Sequence, residues 1–221
     1  MIPGPRPIYS WASLARALPQ PLSAPVPDQE LSPSAASVRP TPSDLDSLVL
    51  ALESEFRTDP SGAGAAQLLE QYAAQASDWR ANMAFDPDHY TRNLIQRTGN
   101  FELLLLGWGA GQESPIHNHE GQNCWMAVLE GPIEELHFRL SPDGVGVPPL
   151  AGPVRSFEAG QVAFIRDEIA LHLVRATPSA PGVSLHLYAK PYDACNCYCD
   201  ATGQVTRKQL QYDTIRGRQI P

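Results

Sequence analysis

Ile116-His117-Asn118-His119, followed by Cys124-Trp125-Met126-Ala127-Val128-Leu129, is the stretch from which the fold can be read. Gly111 precedes it and Gly131 closes it. The second half has the composition of a strand. In an extended chain alternate side chains share a face, so His117 and His119 are expected to point the same way. Two imidazoles so placed can hold one metal ion if another strand supplies further ligands. A third histidine, His172, stands in the apolar run Ile169-Ala170-Leu171-His172-Leu173-Val174. Three neutral imidazoles with no obvious fourth ligand leave coordination positions open, which suits catalytic Zn(II) or Fe(II) equally. Glu120 would face away from the histidines if the strand continued, and is not expected to be a ligand. His89 and His137 read as ordinary surface or core histidines.

Working outward, the segments after Phe101 are short apolar runs punctuated by Gly, Pro and Asp. Strands are expected near 101–108, 115–119, 124–130, 133–139, 161–165, 170–175, 183–189 and 204–210. Before them the pattern is helical. Ser43 and Asp46 form a Ser-x-x-Asp start signal, and Leu45, Leu48, Val49, Leu52 and Phe56 follow at helical spacing. A Gly-rich turn at 61–64 leads to a second helix with Leu68, Leu69, Tyr72 and Ala76 on one face, and a third helical piece is expected around Tyr90–Gln96. Helices followed by about eight strands predict a mainly β protein, with N-terminal α-helices packed on an antiparallel barrel or double-sheet jelly roll. Residues 1–42 are rich in Pro, Ser and Ala without a sustained period. They read as a disordered arm, with the folded domain spanning 43–221. Ser141–Gly152 reads as a loop.

The totals exclude several classes of function. Among 221 residues the net charge is -8, and the pI of about 5.2 argues against a nucleic-acid partner, which needs clustered Lys and Arg. No run of about 18 apolar residues could span a membrane, and no long apolar segment follows Met1 as a secretory signal would require. Arg6 and Arg16, with no acidic residue before Asp28, leave a mitochondrial presequence open, though basic residues are few. Four cysteines, three of them at 195, 197 and 199, do not resemble the disulfide framework of a secreted domain. A soluble, cytoplasmic, monomeric protein is expected. The Cys195-x-Cys197-x-Cys199 trio could bind a soft metal or respond to oxidation; the plainer reading is a cysteine-rich loop near a pocket mouth.

One further strand is informative. In Val183-Ser184-Leu185-His186-Leu187-Tyr188, the hydroxyl, imidazole and phenol alternate with leucines. Period two places the polar groups on one face as a possible relay, and alternation alone assigns that face to solvent.

The spacing of Gly111, His117-x-His119, Cys124 and Gly131 is similar to the first motif of the cupins, where an acidic residue normally stands at the place of Cys124. The second cupin motif is degenerate around His172. Tyr90-Thr91-Arg92-Asn93-Leu94, Leu106-Gly107-Trp108-Gly109, His117-x-His119, Cys124, Leu171-His172, Ser184–Tyr188 and Pro191-Tyr192-Asp193-x-Cys195 together resemble the animal-type cysteine dioxygenases, over roughly residues 45–215. The resemblance implies a cupin jelly-roll β-barrel and an Fe(II) ion held by His117, His119 and His172, with no organic cofactor. It also implies oxidation of L-cysteine by O2 to 3-sulfino-L-alanine, a step of cysteine catabolism toward hypotaurine and taurine. A soft thiolate suits ferrous iron.

By the same resemblance, Arg92 would grip the substrate carboxylate, a task its planar fork suits, and Tyr90 would assist. Related mercaptopropionate dioxygenases have Gln at that place, so Arg92 favours cysteine. His186 would hold Tyr188 and Ser184 would orient His186, while Trp108 would pack the pocket. Cys124 and Tyr188 match the pair that forms a thioether crosslink in the animal enzymes; many bacterial relatives have Gly for the cysteine. Two departures stand out: Asn123 replaces the His usual in vertebrate enzymes, and Cys197 and Cys199 are additional. The alternatives are a dioxygenase of another small thiol, 3-mercaptopropionate or cysteamine, and a non-enzymatic metal-binding cupin.

Overall fold

A computed structural model describes residues 41–142, 146–148 and 153–220. The arm expected over 1–42 lies outside the described residues except for its last two, and the Ser141–Gly152 loop is described only in part. Helices α1 (Leu45–Thr58) and α2 (Ala65–Ala73) come first. The apolar positions spaced along α1, Leu45, Leu48, Val49, Leu52 and Phe56, are the ones it buries. Its cap lies one residue later than the expected signal: Asp44 accepts from the Ser47 amide, and Ser47 Oγ reciprocates to the Asp44 amide, a capping box. A 3-10 helix over Asp78–Asn82 was not anticipated. It buries Trp79, and Asp78 ties the helices together by accepting from Tyr72 Oη (2.9 Å) and the Leu45 amide (2.8 Å).

Thirteen strands follow among the described residues: β1 (Thr91–Arg97), β2 (Glu102–Trp108), β3 (Ile116–His117), β4 (Asn123–Glu130), β5 (Ile133–Phe138), β6 (Arg155–Phe157), β7 (Val162–Ile165), β8 (Leu171–Ala176), β9 (Gly182–Ala189), β10 (Ala194–Tyr198), β11 (Val205–Gln209), β12 (Thr214–Ile215) and β13 (Arg218–Gln219). They form a seven-stranded sheet in the order β13-β12-β1-β2-β9-β4-β7 and a six-stranded sheet in the order β11-β10-β3-β8-β5-β6. All eight expected strands are present, and the mainly β, two-sheet jelly roll with N-terminal helices is the fold.

Two expectations fail for related reasons. The helical piece expected around Tyr90–Gln96 is instead strand β1 (Thr91–Arg97); five of its seven residues are buried in succession, so no alternation marks it as a strand. The polar face of β9 is not solvated. The seven-stranded sheet is covered on both sides. Ile95, Leu103, Leu105, Trp125, Leu185 and Leu187 pack with α1 and α2 on one face. Leu94, Leu104, Leu106, Met126 and Tyr188 face the interior between the sheets on the other. Ser184, His186 and Tyr188 therefore lie inside the barrel, each at most 3% exposed. The cysteine trio is likewise not a loop: Cys195 and Cys197 are buried on β10, and only Cys199, just past it, is exposed. No helix among the described residues is long and apolar enough to cross a membrane.

Candidate metal centre and substrate pocket

The turn that carries the histidines is built by backbone chemistry. β3 ends at His117, two residues short of including His119 as a regular strand. Glu120 and Gly121 then adopt left-handed backbone conformations (φ 55° and 74°). Asp167 pins this turn, accepting from the amides of His119 (2.6 Å) and Gly121 (2.8 Å). Glu120 is thereby turned outward to Arg207 (2.7 Å) and is not a ligand. Gly131 explains its place in the motif: its φ is 68°, and a Cβ there would lie 2.3 Å from the Pro181 carbonyl oxygen.

His172 sits on β8 directly opposite His117 on β3, and a donor nitrogen from each of His117, His119 and His172 lies within 4.8 Å of the others. The tautomers can be assigned from the partners. His117 Nδ1 faces the Pro115 carbonyl oxygen (2.9 Å), which can only accept, so this nitrogen carries the proton. His172 Nδ1 faces Glu135 Oε1 (2.8 Å). Glu135 is 1% exposed and burial alone would raise its pKa; hydrogen bonds from His137 and His172 outweigh that and hold it well below the usual carboxylate range. It therefore accepts, and His172 Nδ1 donates. Both Nε2 atoms are then bare lone pairs, yet they face each other at 3.3 Å. His119, fully buried, has neither ring nitrogen hydrogen-bonded. Lone pairs converging without a proton between them fit a cation, and the all-imidazole donor set fits a divalent transition metal. Burial lowers the pKa of His117 well below its ordinary value and brings His172 down to about 4, so both are neutral donors near pH 7.

Beside this centre opens a pocket lined among others by Tyr90, Arg92, Trp108, His117, His186, Tyr188, Tyr192, Cys195 and Lys208. Arg92 is 9% exposed, not a surface residue, and its Nε has no hydrogen-bond partner. Its backbone is clamped on both sides by Asp213, whose carboxylate accepts from the Arg92 amide (2.7 Å) and whose own amide donates to the Arg92 carbonyl (2.8 Å). Tyr90 stacks on Trp108 with ring centroids 4.6 Å apart.

The polar residues of β9 form a directed chain. Trp108 Nε1, which can only donate, gives to Ser184 Oγ (2.8 Å). Ser184 gives its own proton to His186 Nε2 (2.9 Å). Burial, with His172 and Arg92 nearby, keeps His186 well below its ordinary pKa. The neutral ring then carries its proton on Nδ1 and donates to Tyr188 Oη (3.2 Å). The phenolic hydrogen of Tyr188 is left free for the pocket. Burial raises the pKa of Tyr188 and of Cys124 well above ordinary values, so both are neutral. Cys124 on β4 is the direct cross-strand partner of Tyr188 on β9, the closest kind of neighbour a sheet offers.

Among the singled-out residues, Arg92, Tyr90, His117, His186 and Tyr188 line one pocket, with His119 and His172 against His117 and with Cys124 and Ser184 adjoining Tyr188 and His186. Sequence reasoning missed Glu135, Asp167 and the donor role of Trp108. Glu135 shares a strand face with Ile133 and His137, the only signal that its carboxylate points inward. Asp167 carried none.

Comparison with known proteins agrees with this geometry. The family model described as cysteine dioxygenase type I matches residues 34–201. Cysteine dioxygenase type 1 of Rattus norvegicus is 33% identical over 183 residues, covering 81% of this chain and 91% of the relative. That of Homo sapiens is 32% identical over the same length and coverage. A crystal structure of a Klebsiella pneumoniae uncharacterized protein with a double-stranded beta-helix domain superposes with a TM-score of 0.41 at 15% identity, covering 60% of this chain and 93% of that one. The family model and the rat and human relatives show that the chain belongs to the cysteine dioxygenase type I family.

Proposed function

We propose that this protein is an iron-dependent cysteine dioxygenase converting L-cysteine and O2 to 3-sulfino-L-alanine. The observation that carries the choice of substrate is the Arg92 guanidinium, buried in the same pocket as His117 and Tyr188 with Nε unpartnered. A buried cation with spare donors calls for an anion with a matching fork, and a carboxylate is that anion. His117, His119 and His172 would hold Fe(II), with Glu135 fixing the tautomer of His172 from behind. When bound, the ferrous ion would supply a soft coordination site for the substrate thiolate and would activate O2.

Arg92 holds the carboxylate in two parallel hydrogen bonds, and Tyr90, braced on Trp108, closes the side of the pocket. The Trp108–Ser184–His186 chain fixes Tyr188 Oη as an acceptor from His186, so its own hydrogen is left to donate into the pocket, where it would stabilise charge developing on the oxidised sulfur. The overall step balances as RSH + O2 → RSO2H, the sulfur losing four electrons and both oxygen atoms becoming bonded to it. Cys124 and Tyr188, direct cross-strand partners, would form a thioether: the Sγ–H and a ring C–H are lost, an S–C bond forms, and two electrons and two protons pass to O2. This bond would hold the phenol rather than create it. No organic cofactor is required. A reducing, cytoplasmic setting and a monomer fit the free cysteines and the acidic charge.

Oxygen uptake by the Fe(II)-loaded protein with L-cysteine, with mass spectrometry of the product, tests this reading. Cysteine gaining two oxygen atoms is the expected result. Turnover of 3-mercaptopropionate or cysteamine in place of cysteine would reassign it to another thiol, and stoichiometric iron binding without turnover would make it a binding protein.

A further inference from the structure

The interior of the barrel contains a charge that the reaction does not use. Glu102, on β2, has no solvent exposure, and neither carboxylate oxygen makes a hydrogen bond of good geometry, the nearby Tyr212 hydroxyl being a phenolic neighbour outside β9 that acts on it. Burying an unsatisfied carboxylate costs several kcal/mol unless charges compensate it. Compensation is present as two guanidinium groups: Arg97 Nη1 at 3.6 Å from Oε2 and Arg92 Nη2 at 3.9 Å from Oε1. Both are close enough for attraction and too long for good hydrogen bonds.

The sheet register produces this arrangement. Arg92 and Arg97 are five apart and would point to opposite faces of a regular strand. A bulge between Leu94 and Gln96 removes the mismatch, pairing Arg92 with Leu106, Leu94 with Leu104 and Arg97 with Glu102, so both arginines reach the inner face. On the other side Glu102 pairs with Tyr188 of β9. The carboxylate is thus set inside the barrel between the phenol and the two arginines. One of these arginines also lines the pocket with an unpartnered Nε.

We propose that Glu102 is a positioning residue that acts through Arg92 to weaken its hold on the carboxylate of substrate and product, and so keeps the sulfinate from being retained. This rests on the reading of Arg92 as the carboxylate holder. Substrate carboxylate and Glu102 share one guanidinium, so they repel each other through it. Cysteine, held through its thiolate, and the sulfinate product bring the same carboxylate to Arg92, so the charge of Glu102 opposes both through that one group. Arg97 tempers Glu102 from the other side, which keeps the opposition moderate.

The test is equilibrium binding by calorimetry under nitrogen on the iron-loaded protein, with L-cysteine, cysteamine and cysteine sulfinate as ligands. In Glu102→Gln, cysteine sulfinate and cysteine should both bind about three- to tenfold tighter, with cysteamine, which has no carboxylate, unchanged within about twofold. Product inhibition in steady-state assays should strengthen in parallel. Glu102→Asp, which keeps the charge, should remain close to the parent protein. Arg97→Gln, at a partly exposed position, should move in the opposite direction, weakening sulfinate binding several-fold because Glu102 is then less compensated. A structural role would move all three ligands together or none, and either outcome overturns the proposal. The reading of Arg92 is checked separately. If Arg92→Gln loses the preference for cysteine over cysteamine but Glu102→Gln alters nothing, Glu102 alone is wrongly assigned. If Arg92→Gln also leaves the preference intact, both assignments fall.

Discussion

The two faces of β9 are made by alternating residues of one strand, yet they do opposite work. Leu185 and Leu187 face the layer formed with α1 and α2, an apolar core in which shape and area are what matter. Ser184, His186 and Tyr188 face the barrel interior, where each polar atom must find a named partner or stay bare for a ligand. Both faces are buried to the same degree. Burial therefore says nothing by itself about role; what distinguishes the faces is whether burial is satisfied by packing or by hydrogen bonds. One face sets stability and the other sets chemistry, and substitutions should separate them.

The largest separation is expected at Tyr188. Tyr188→Phe removes only the hydroxyl at the end of the Trp108–Ser184–His186 chain. It should lower kcat/KM for cysteine by about 10²-fold, the scale of one positioned proton donor, while thermal stability changes little. Steady-state assays together with a melting curve check this; equal losses in both would mean the inner face is only a core.

Acid should also act on the inner face. Burial depresses His117, His172 and His186 below their ordinary pKa. The unfolded chain then takes up protons as pH falls through about 6.5 while the folded metal-free protein does not, so stability is fully present above that pH and is lost below it. The loss per buried histidine is about 1.4 kcal/mol for each pH unit until its folded pKa is reached, which for His172 is about 4. Glu135 works in a lower window: its depressed pKa gives a contribution that is fully present above the ordinary carboxylate value of 4.5 and is lost as pH falls from there toward its folded value. Denaturant titrations of metal-free protein between pH 7 and 5 should show falling stability; a flat profile would break the assignment of neutral interior histidines.

Leu187→Ala tests the other face. It removes a fully buried side chain from the helix-covered layer and should cost about 2–5 kcal/mol, seen as a Tm lower by about 5–15 °C. The Michaelis constant for cysteine should be unchanged below the melting transition. A change in KM there would mean that the two layers are coupled across the strand.

This comparison also explains what could be read from the sequence. Helix α1 was legible because its buried positions recur at helical spacing against an exposed face. His117 and His119 were legible because their interval and flanking glycines are constrained by a left-handed turn and a close approach at Gly131. The face of β9 was misjudged because a polar face signals solvent only when the sheet is covered on one side. β1 lost its period for the same reason, with the bulge after Leu94 shifting the alternation as well. Arg92 and the Cys124–Tyr188 pair came from family resemblance, since nothing in their local pattern distinguishes them from surface or core residues. Glu135, Asp167 and Glu102 were invisible, because a carboxylate in a strand or turn reads as solvated until the register shows which partner it faces.

The smallest effect is expected from a contact that looks like one of the strongest. Arg80 Nη2 lies 2.7 Å from Glu130 Oε2, nearly the same separation as His172 Nδ1 from Glu135 (2.8 Å). The first pair is more than half exposed on both sides and the second almost wholly buried. Water screens the exposed pair and ordering two long side chains offsets most of what remains, so such bridges contribute about 0–1 kcal/mol. Arg80 also lies over the Trp79 ring at 4.2 Å, which adds a few tenths to the upper end of that range. Arg80→Ala should therefore shift stability by about 1 kcal/mol or less, with the difference shrinking at high salt, and leave activity untouched. Glu135→Gln, by contrast, should weaken metal binding by about 10- to 100-fold without large change to the surface. If the two substitutions had equal effects, hydrogen-bond length rather than burial would be the controlling variable, and the distinction drawn between the two faces of β9 would fail with it.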